Sequence, residues 1–188
     1  MYRKMIIFIL LLILIFQAGC LYAIRRDGPY QGKVVDQETR EPIEGVVVLG
    51  TWWVYHFSPA GGYSTYYDAH ETVTDKRGEF IISGEGLRIL SNLQPMHFIV
   101  FKDGYKYREG QWHVLKTDVP LSILEEEKIQ WDGDMPIFPL KKLTVEEKSK
   151  QDSPNFPSDA SGHKIKLFLQ EINKDRTERG LRPIGTQR

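Results

Sequence analysis

The groups with which this 188-residue chain could do chemistry are few: one cysteine, Cys20, and five histidines, His56, His70, His97, His113 and His163. A hydrolytic zinc centre needs two ligands on one element, a third ligand and a carboxylate base. The sequence has no H-x-x-E, no H-E-x-x-H and no second cysteine from which to build one. His56 and His70 could face each other across a hairpin, with Glu71 completing a site, but polar strand residues explain the same pattern. Ser64 stands in "GGYST", not in the G-x-S-x-G of a nucleophile elbow. Asp132-Gly133-Asp134 supplies half of a calcium loop without its remaining oxygen ligands, so a solvated turn is expected there. The expectation is a chain that is not an enzyme, with no catalytic residue, no metal and no cofactor.

Stacking is the other chemistry on offer. In "GTWWVYHFSPAGGYSTYYDAHE", Gly50 to Glu71, seven of 22 side chains are aromatic. Strand alternation puts Trp52, Val54 and His56 on one side and Trp53, Tyr55 and Phe57 on the other. On a return strand Ser64, Tyr66, Asp68 and His70 alternate with Thr65, Tyr67 and Ala69, and Pro59 to Gly62 forms the tip. The candidate binding residues are Trp52, Trp53, Tyr55, Tyr66, Tyr67 and His70. They suit a protein partner, because Tyr and Trp are enriched at interfaces. The alternative is a glycan stacked on the rings, with Asp68, His70 or Glu71 bonding its hydroxyls.

Charge removes one class of partner. Twenty-five basic and 25 acidic residues are interspersed, giving zero formal net charge and no basic face for nucleic acid. The N-terminus points elsewhere. Arg3 and Lys4 precede an apolar run from Met5 to Phe16, then Gln17-Ala18-Gly19-Cys20, the layout of a secretory signal. The run is short of the roughly 20 residues that cross a bilayer, and an uncleaved anchor is the lesser alternative.

The "AGC" at its end resembles the lipobox of bacterial lipoproteins, although Gln17 stands where that family has Leu. The resemblance implies a signal peptide over 1–19 and an acylated Cys20, with palmitate among the chains. It also implies a location in the bacterial envelope, where Leu21 after the cysteine fits sorting to the outer membrane, facing the periplasm. Ordinary cleavage after Ala23 in "LYA" is the alternative. Loss of residues 1–19 leaves 23 basic against 25 acidic groups. Acyl chains, at about 0.8 kcal/mol per buried CH₂, then hold the chain to the membrane.

The elements that must carry the aromatic stretch come next. Residues 20–30 read as a tether. From Gln31 the chain turns to β-branched runs, "GKVVD", "GVVVLGTWWVY", "STYYDAHETVTD", "GEFIIS", "MHFIVFKD" and "YKYREGQWHVLK", separated by Gly, Pro or Asp. Many short strands with such punctuation predict an antiparallel sandwich. In "TDKRGEF", Asp75 and Gly78 set a turn that sends Phe80 inward, and Asp103-Gly104 predicts a two-residue hairpin.

"GKVVDQETREPIEGVVV", "ETVTDKRGEF" and "FKDGY", in that order, resemble the signature of carboxypeptidase regulatory-like domains, which have the transthyretin-like (prealbumin-like) fold. The match covers about Gln31 to Tyr105, with closing strands reaching Leu140. It implies a non-catalytic, seven-stranded Greek-key β-sandwich over 31–140, found attached to other proteins or alone on lipoproteins. Its main departure is the long insert between Val54 and Thr72, which holds the aromatic stretch. The family offers no common catalytic residue to carry over.

Residues 141–188 read as a helical C-terminal extension. Thr144 and Glu147 have capping-box spacing, Pro154 and Pro157 mark a linker, and Ser161 is placed to cap a second helix. On that helix Ile165, Phe168, Leu169 and Ile172 share one face, and Gly180 ends it. Such a stripe docks on the sandwich or serves a partner's groove. The whole reads as a membrane-anchored lipoprotein carrying a structural or protein-interaction module of the envelope. A carbohydrate-binding module is the alternative.

Overall fold

The structure is a computed structural model that describes residues 6, 24–116 and 129–185. Apart from Ile6, residues 1–23, which hold the expected signal segment, Cys20 and the alternative cleavage point, lie outside the described residues. Among the described residues no helix is long and apolar enough to cross a membrane.

The chain is mainly β. Its strands are β1 (Ile24–Asp27), β2 (Tyr30–Asp36), β3 (Val47–Ser58), β4 (Gly61–Val73), β5 (Glu79–Ile82), β6 (Gly86–Ile89), β7 (His97–Phe101), β8 (Arg108–Gln111), β9 (Gln130–Asp132) and β10 (Met135–Leu140). Two helices follow, α1 (Val145–Lys150) and α2 (Lys166–Glu178). One four-stranded sheet has the order β5-β2-β10-β9, the other β4-β3-β7-β8, and β1 pairs with β6 as a separate ribbon.

The two large sheets form a sandwich. Val34, Phe80, Ile82, Phe138 and Leu140 of the first sheet meet Val48, Trp52, Phe98 and Val100 of the second in one buried cluster. The second sheet is covered again on its other side. There Val47, Leu49, Ala69, Ile99 and Phe101 pack on Ile165, Phe168 and Ile172 of the α2 region. A strand buried on both faces must be apolar at successive positions. That is why "VVLGTW" runs without a polar break except Thr51, and why all six residues are buried. The stripe on α2 therefore docks on its own sandwich.

Local chemistry fixes the turns. Asp75 Oδ1 accepts from the N–H groups of Arg77 and Glu79, both at 2.9 Å. Gly78 takes φ 72°, and a Cβ there would lie 2.4 Å from the Val34 carbonyl oxygen. Phe80 then enters the core at 3 % exposure. Thr144 and Glu147 close the capping box of α1 in both directions.

Four expectations are corrected. Part of the tether is strand, because Ile24–Asp27 finds a partner in Gly86–Ile89. The first sheet is not wholly antiparallel: β10 runs parallel to β2, since the whole second sheet lies between them and serves as the crossover that parallel pairing requires. Asp103-Gly104 does not close a two-residue hairpin. Tyr105 instead bridges to Lys142, and β7 meets β8 only from Val100↔Arg108 onward. Nor does Ser161 cap α2, which starts at Lys166, while the Ser161 hydroxyl bonds His163 Nδ1 at 2.6 Å.

The same Asp103 turn anchors the helices. Lys148 of α1 reaches Asp103, Asp175 and Glu178, Lys174 reaches Asp103 at 3.2 Å, and Arg179 reaches Asp175 at 3.1 Å. Burial opposes the Lys148 charge, but Asp103 and Glu178 outweigh it and raise its pKa to about 12. Burial likewise opposes ionisation of Asp103, and the ammonium groups of Lys148 and Lys174 outweigh it, holding that carboxyl below its ordinary value.

A depressed carboxylate contributes stability above its unfolded pKa and loses it as pH falls through the folded value. We expect stability, measured by urea denaturation, to decline as pH drops below 3.8, the ordinary Asp value. Asp36, Asp68 and Asp75 are depressed with the same sign, so Lys148→Met isolates the helix contact. That variant should start less stable and show a shallower acid slope.

Candidate functional site

The aromatic stretch is a strand pair that outgrows the sandwich. β3 pairs with β4 from Val47↔Val73 to Ser58↔Gly61, whereas β7 accompanies β3 only as far as Thr51↔His97. Past that point Leu93 bridges Val54, the Tyr55 N–H reaches the Asn92 carbonyl, and Gln94 bonds the Trp53 carbonyl. Beyond Tyr55, β4 is the strand that accompanies β3 among the described residues.

A β-bulge divides the arm. Trp52 pairs with Asp68 and Trp53 with Tyr66, leaving Tyr67 as the extra residue. Strict alternation had put Tyr66 with Asp68 and His70. The bulge instead sends Tyr66 to the α2 side, where it packs against the cluster that β3 and β7 form with α2 and meets Trp53 edge-on at 6.0 Å. Asp68 and His70 stay on the side of Trp52.

Trp52, expected among the binding residues, lies in the core. It is fully buried, and its indole N–H donates to Asp27 Oδ2 at 2.8 Å. Asp27, 7 % exposed, also accepts the Tyr30 hydroxyl at 2.5 Å and the Glu85 N–H at 2.9 Å. Burial, followed by the bond to Asp27, pushes the Tyr30 phenol well above its usual range. A buried carboxylate is tolerable only with such partners. Sequence reading missed Asp27 because it stood in a presumed tether.

Above Trp52 lie three groups whose ligand atoms fall within 4.8 Å of one another: Asp68, His70 and Glu85. His70 Nε2 is 3.1 Å from Glu85 and 3.8 Å from Asp68, and its ring meets Trp52 edge-on at 5.2 Å. Their geometry is that of a loose metal site, but each carboxylate already has a cation. Lys164 pairs with Asp68, and Arg88 with Glu85 at 3.2 Å. Two acids and two bases around an imidazole balance without an ion. His56 is elsewhere: it stacks on Tyr63 at 4.9 Å and bonds Thr65 Oγ1 at 2.8 Å. The two histidines sit six positions apart along β3, about 20 Å at strand rise.

Glu71 also has a structural task. Its two oxygens accept from the N–H groups of Leu167 and Phe168, each at 2.9 Å. Helix α2 has no side-chain cap of its own. A carboxylate from β4 therefore satisfies its first free donors and sits at the positive end of the helix dipole.

What remains available is the outer arm. Phe57 is 83 % exposed, Tyr63 57 % and Tyr55 41 %. Phe57 faces Gly62 across the pair, and the Tyr55 ring lies where a Cβ at Gly62 would be. Tyr67, at the bulge, is exposed with the Arg88 guanidinium 4.9 Å from its ring centre. Of the six residues expected to bind, Tyr55 and Tyr67 are exposed, Trp53, Tyr66 and His70 are half-buried at the base, and Trp52 is core. Phe57 and Tyr63, the most exposed aromatics of the arm, were missed. Their signal was proximity to the turn, which leaves no room for neighbours to cover them.

Comparison with protein-family models, curated proteins and solved structures finds no match to this chain.

The Asp27 contacts set an expectation for stability. Asp27→Ala strands the donors of Trp52, Tyr30 and Glu85, and should cost at least about 4 kcal/mol in urea denaturation, since hydrogen bonds to charged groups contribute about 1.5–3 kcal/mol each. Asp27→Asn retains an oxygen acceptor and should cost less. Glu71→Ala should cost about 1 kcal/mol, as loss of a cap does, and should speed hydrogen exchange at Leu167 and Phe168.

Proposed function

We propose that this chain is a non-catalytic, lipid-anchored module of a bacterial cell envelope, attached through Cys20 at the outer membrane, whose aromatic arm binds a protein partner. The sandwich is read as a relative of the carboxypeptidase regulatory-like domains, with the arm inserted between two of its strands. The observation that carries the reading is the outer arm. Tyr55, Phe57 and Tyr63 are presented on a paired, hydrogen-bonded scaffold and, among the described residues, stay largely exposed. Rigid aromatic side chains lose little entropy when a partner buries them.

A protein partner is favoured over a glycan by where the polar groups point. Sugar binding needs side chains free to bond hydroxyls beside the rings. Glu71 holds α2, Asp68 holds Lys164 and His70 leans on Glu85. The groups expected to read hydroxyls are thus engaged in holding the fold together.

Three experiments test this. A photo-crosslinking amino acid at Phe57 in living cells should yield a discrete protein adduct, and one at exposed Lys76 in the far turn should not; equal labelling at both sites would reject the arm. Binding to a glycan array that Phe57→Ala and Tyr63→Ala abolish would decide for sugar instead. Cys20→Ala should abolish metabolic fatty-acid labelling and release the protein from membranes; undiminished labelling would sink the anchor.

A further inference from the structure

The ribbon of β1 and β6 has two unlike faces. Register places Arg25 opposite Arg88 and Asp27 opposite Gly86, and this inner face is tied to the body. Arg25 donates to the Leu93 carbonyl, Arg88 pairs with Glu85 and covers Tyr67, and Asp27 holds Trp52. The outer face carries Ile24 opposite Ile89 and Arg26 opposite Leu87. Ile24 is 52 % exposed, Leu87 67 % and Ile89 62 %. Leu90 follows at 82 % exposure with φ 49°, a left-handed conformation that glycine would adopt without strain. Single exposed aliphatic residues are ordinary, but four beside the exposed Arg26 form a patch.

Chain length says what lies beside that patch. Ile24 is four residues after Cys20 and eight after Phe16, where the apolar run ends. A fully extended chain spans at most about 3.6 Å per residue. A lipid on Cys20 thus keeps Ile24 within about 14 Å of its point of attachment, and an uncleaved apolar run would keep it within about 29 Å. We propose that the outer face of the β1–β6 ribbon lies on the bilayer itself, with Ile24, Leu87, Ile89 and Leu90 in the headgroup region and Arg26 on lipid phosphate. The inference rests on the membrane anchor proposed above and adds an orientation to it. Aliphatic burial at the interface and attraction of a basic side chain to anionic lipid act together in such docking. One anchor alone leaves a domain free to tumble; a second contact fixes which end faces the membrane. Because Arg25 and Val54 both meet Leu93, the arm rises from that same end, and its partner would be met at the membrane surface.

The test uses the full-length protein purified from membranes and returned to vesicles of phosphatidylethanolamine and phosphatidylglycerol. An environment-sensitive fluorophore is placed on Leu87→Cys, Ile89→Cys or, as control, Lys76→Cys, and quenched by brominated lipid or aqueous iodide. Brominated lipid should remove most emission at 87 and 89 and none at 76, while iodide should quench only 76. Iodide quenching at 87 and 89 equal to that at 76 would overturn the proposal. So would protection from both quenchers, which would mean that a second copy covers the face. The anchor is read separately: if Cys20 also takes the label, acylation at that residue fails. The ribbon is then read in the Cys20→Ala background, where absence of lipid quenching overturns it in the same way.

Discussion

The carboxylate of Asp27 is the constraint on which the rest depends. Buried at the junction of β1 and β2, it accepts from Trp52 on β3, Tyr30 on β2 and the backbone before β6. Each donor is buried or half-buried and has need of an acceptor, and the carboxylate in turn must have donors to be tolerated away from water. The contact joins both large sheets and the ribbon at one atom cluster. It is helped by a close backbone approach, since a Cβ on Gly28 would lie 2.4 Å from Gly84 Cα. With Trp52 held inward, the aromatic content of the arm divides. Residues up to Trp52 are core, Trp53 and Tyr66 are half-buried at the base, and Tyr55, Phe57 and Tyr63 are exposed.

A second constraint is the double covering of the β4-β3-β7-β8 sheet. The sandwich core takes one side of β3 and α2 takes the other, so the helix is part of the domain. Its docking is secured at both ends by charge. Glu71 caps the N-terminus, and Lys148, Arg179 and Asp103 tie the C-terminal half to α1 and the β7–β8 connection. With the apolar stripe of α2 occupied, exposed apolar side chains among the described residues cluster at the outer arm and the ribbon, with others scattered singly at Val73, Ile81, Val145, Leu167 and Leu181.

Much of this was legible in the sequence, and the failures have physical causes. The mainly β sandwich, the Asp75–Gly78 turn, the capping box of α1 and the end of α2 at Gly180 follow from local chemistry that acts within a few residues. The bulge at Tyr67 does not, because it arises from pairing between strands, and a single extra residue reversed the side assigned to Tyr66 relative to His70. Asp27 and Glu71 were illegible for a related reason: each acts on partners 25 or more residues away, and the nearby Tyr30 alone does not mark Asp27 as the acceptor for Trp52. Exposure was hardest to read. Trp52 and Phe57 look alike in the sequence, and only the extent of β7 and the depth of Asp27 separate them.

Hydrogen exchange on the full-length protein, compared between native membranes and the purified state, tests the central claim that the outer arm is the interaction surface. Added protection is expected at Tyr55–Tyr63 in membranes, with Val47–Trp52 strongly protected in both states. Identical exchange at Tyr55–Tyr63 in the two states would contradict it, as would protection confined to the sandwich far from the arm.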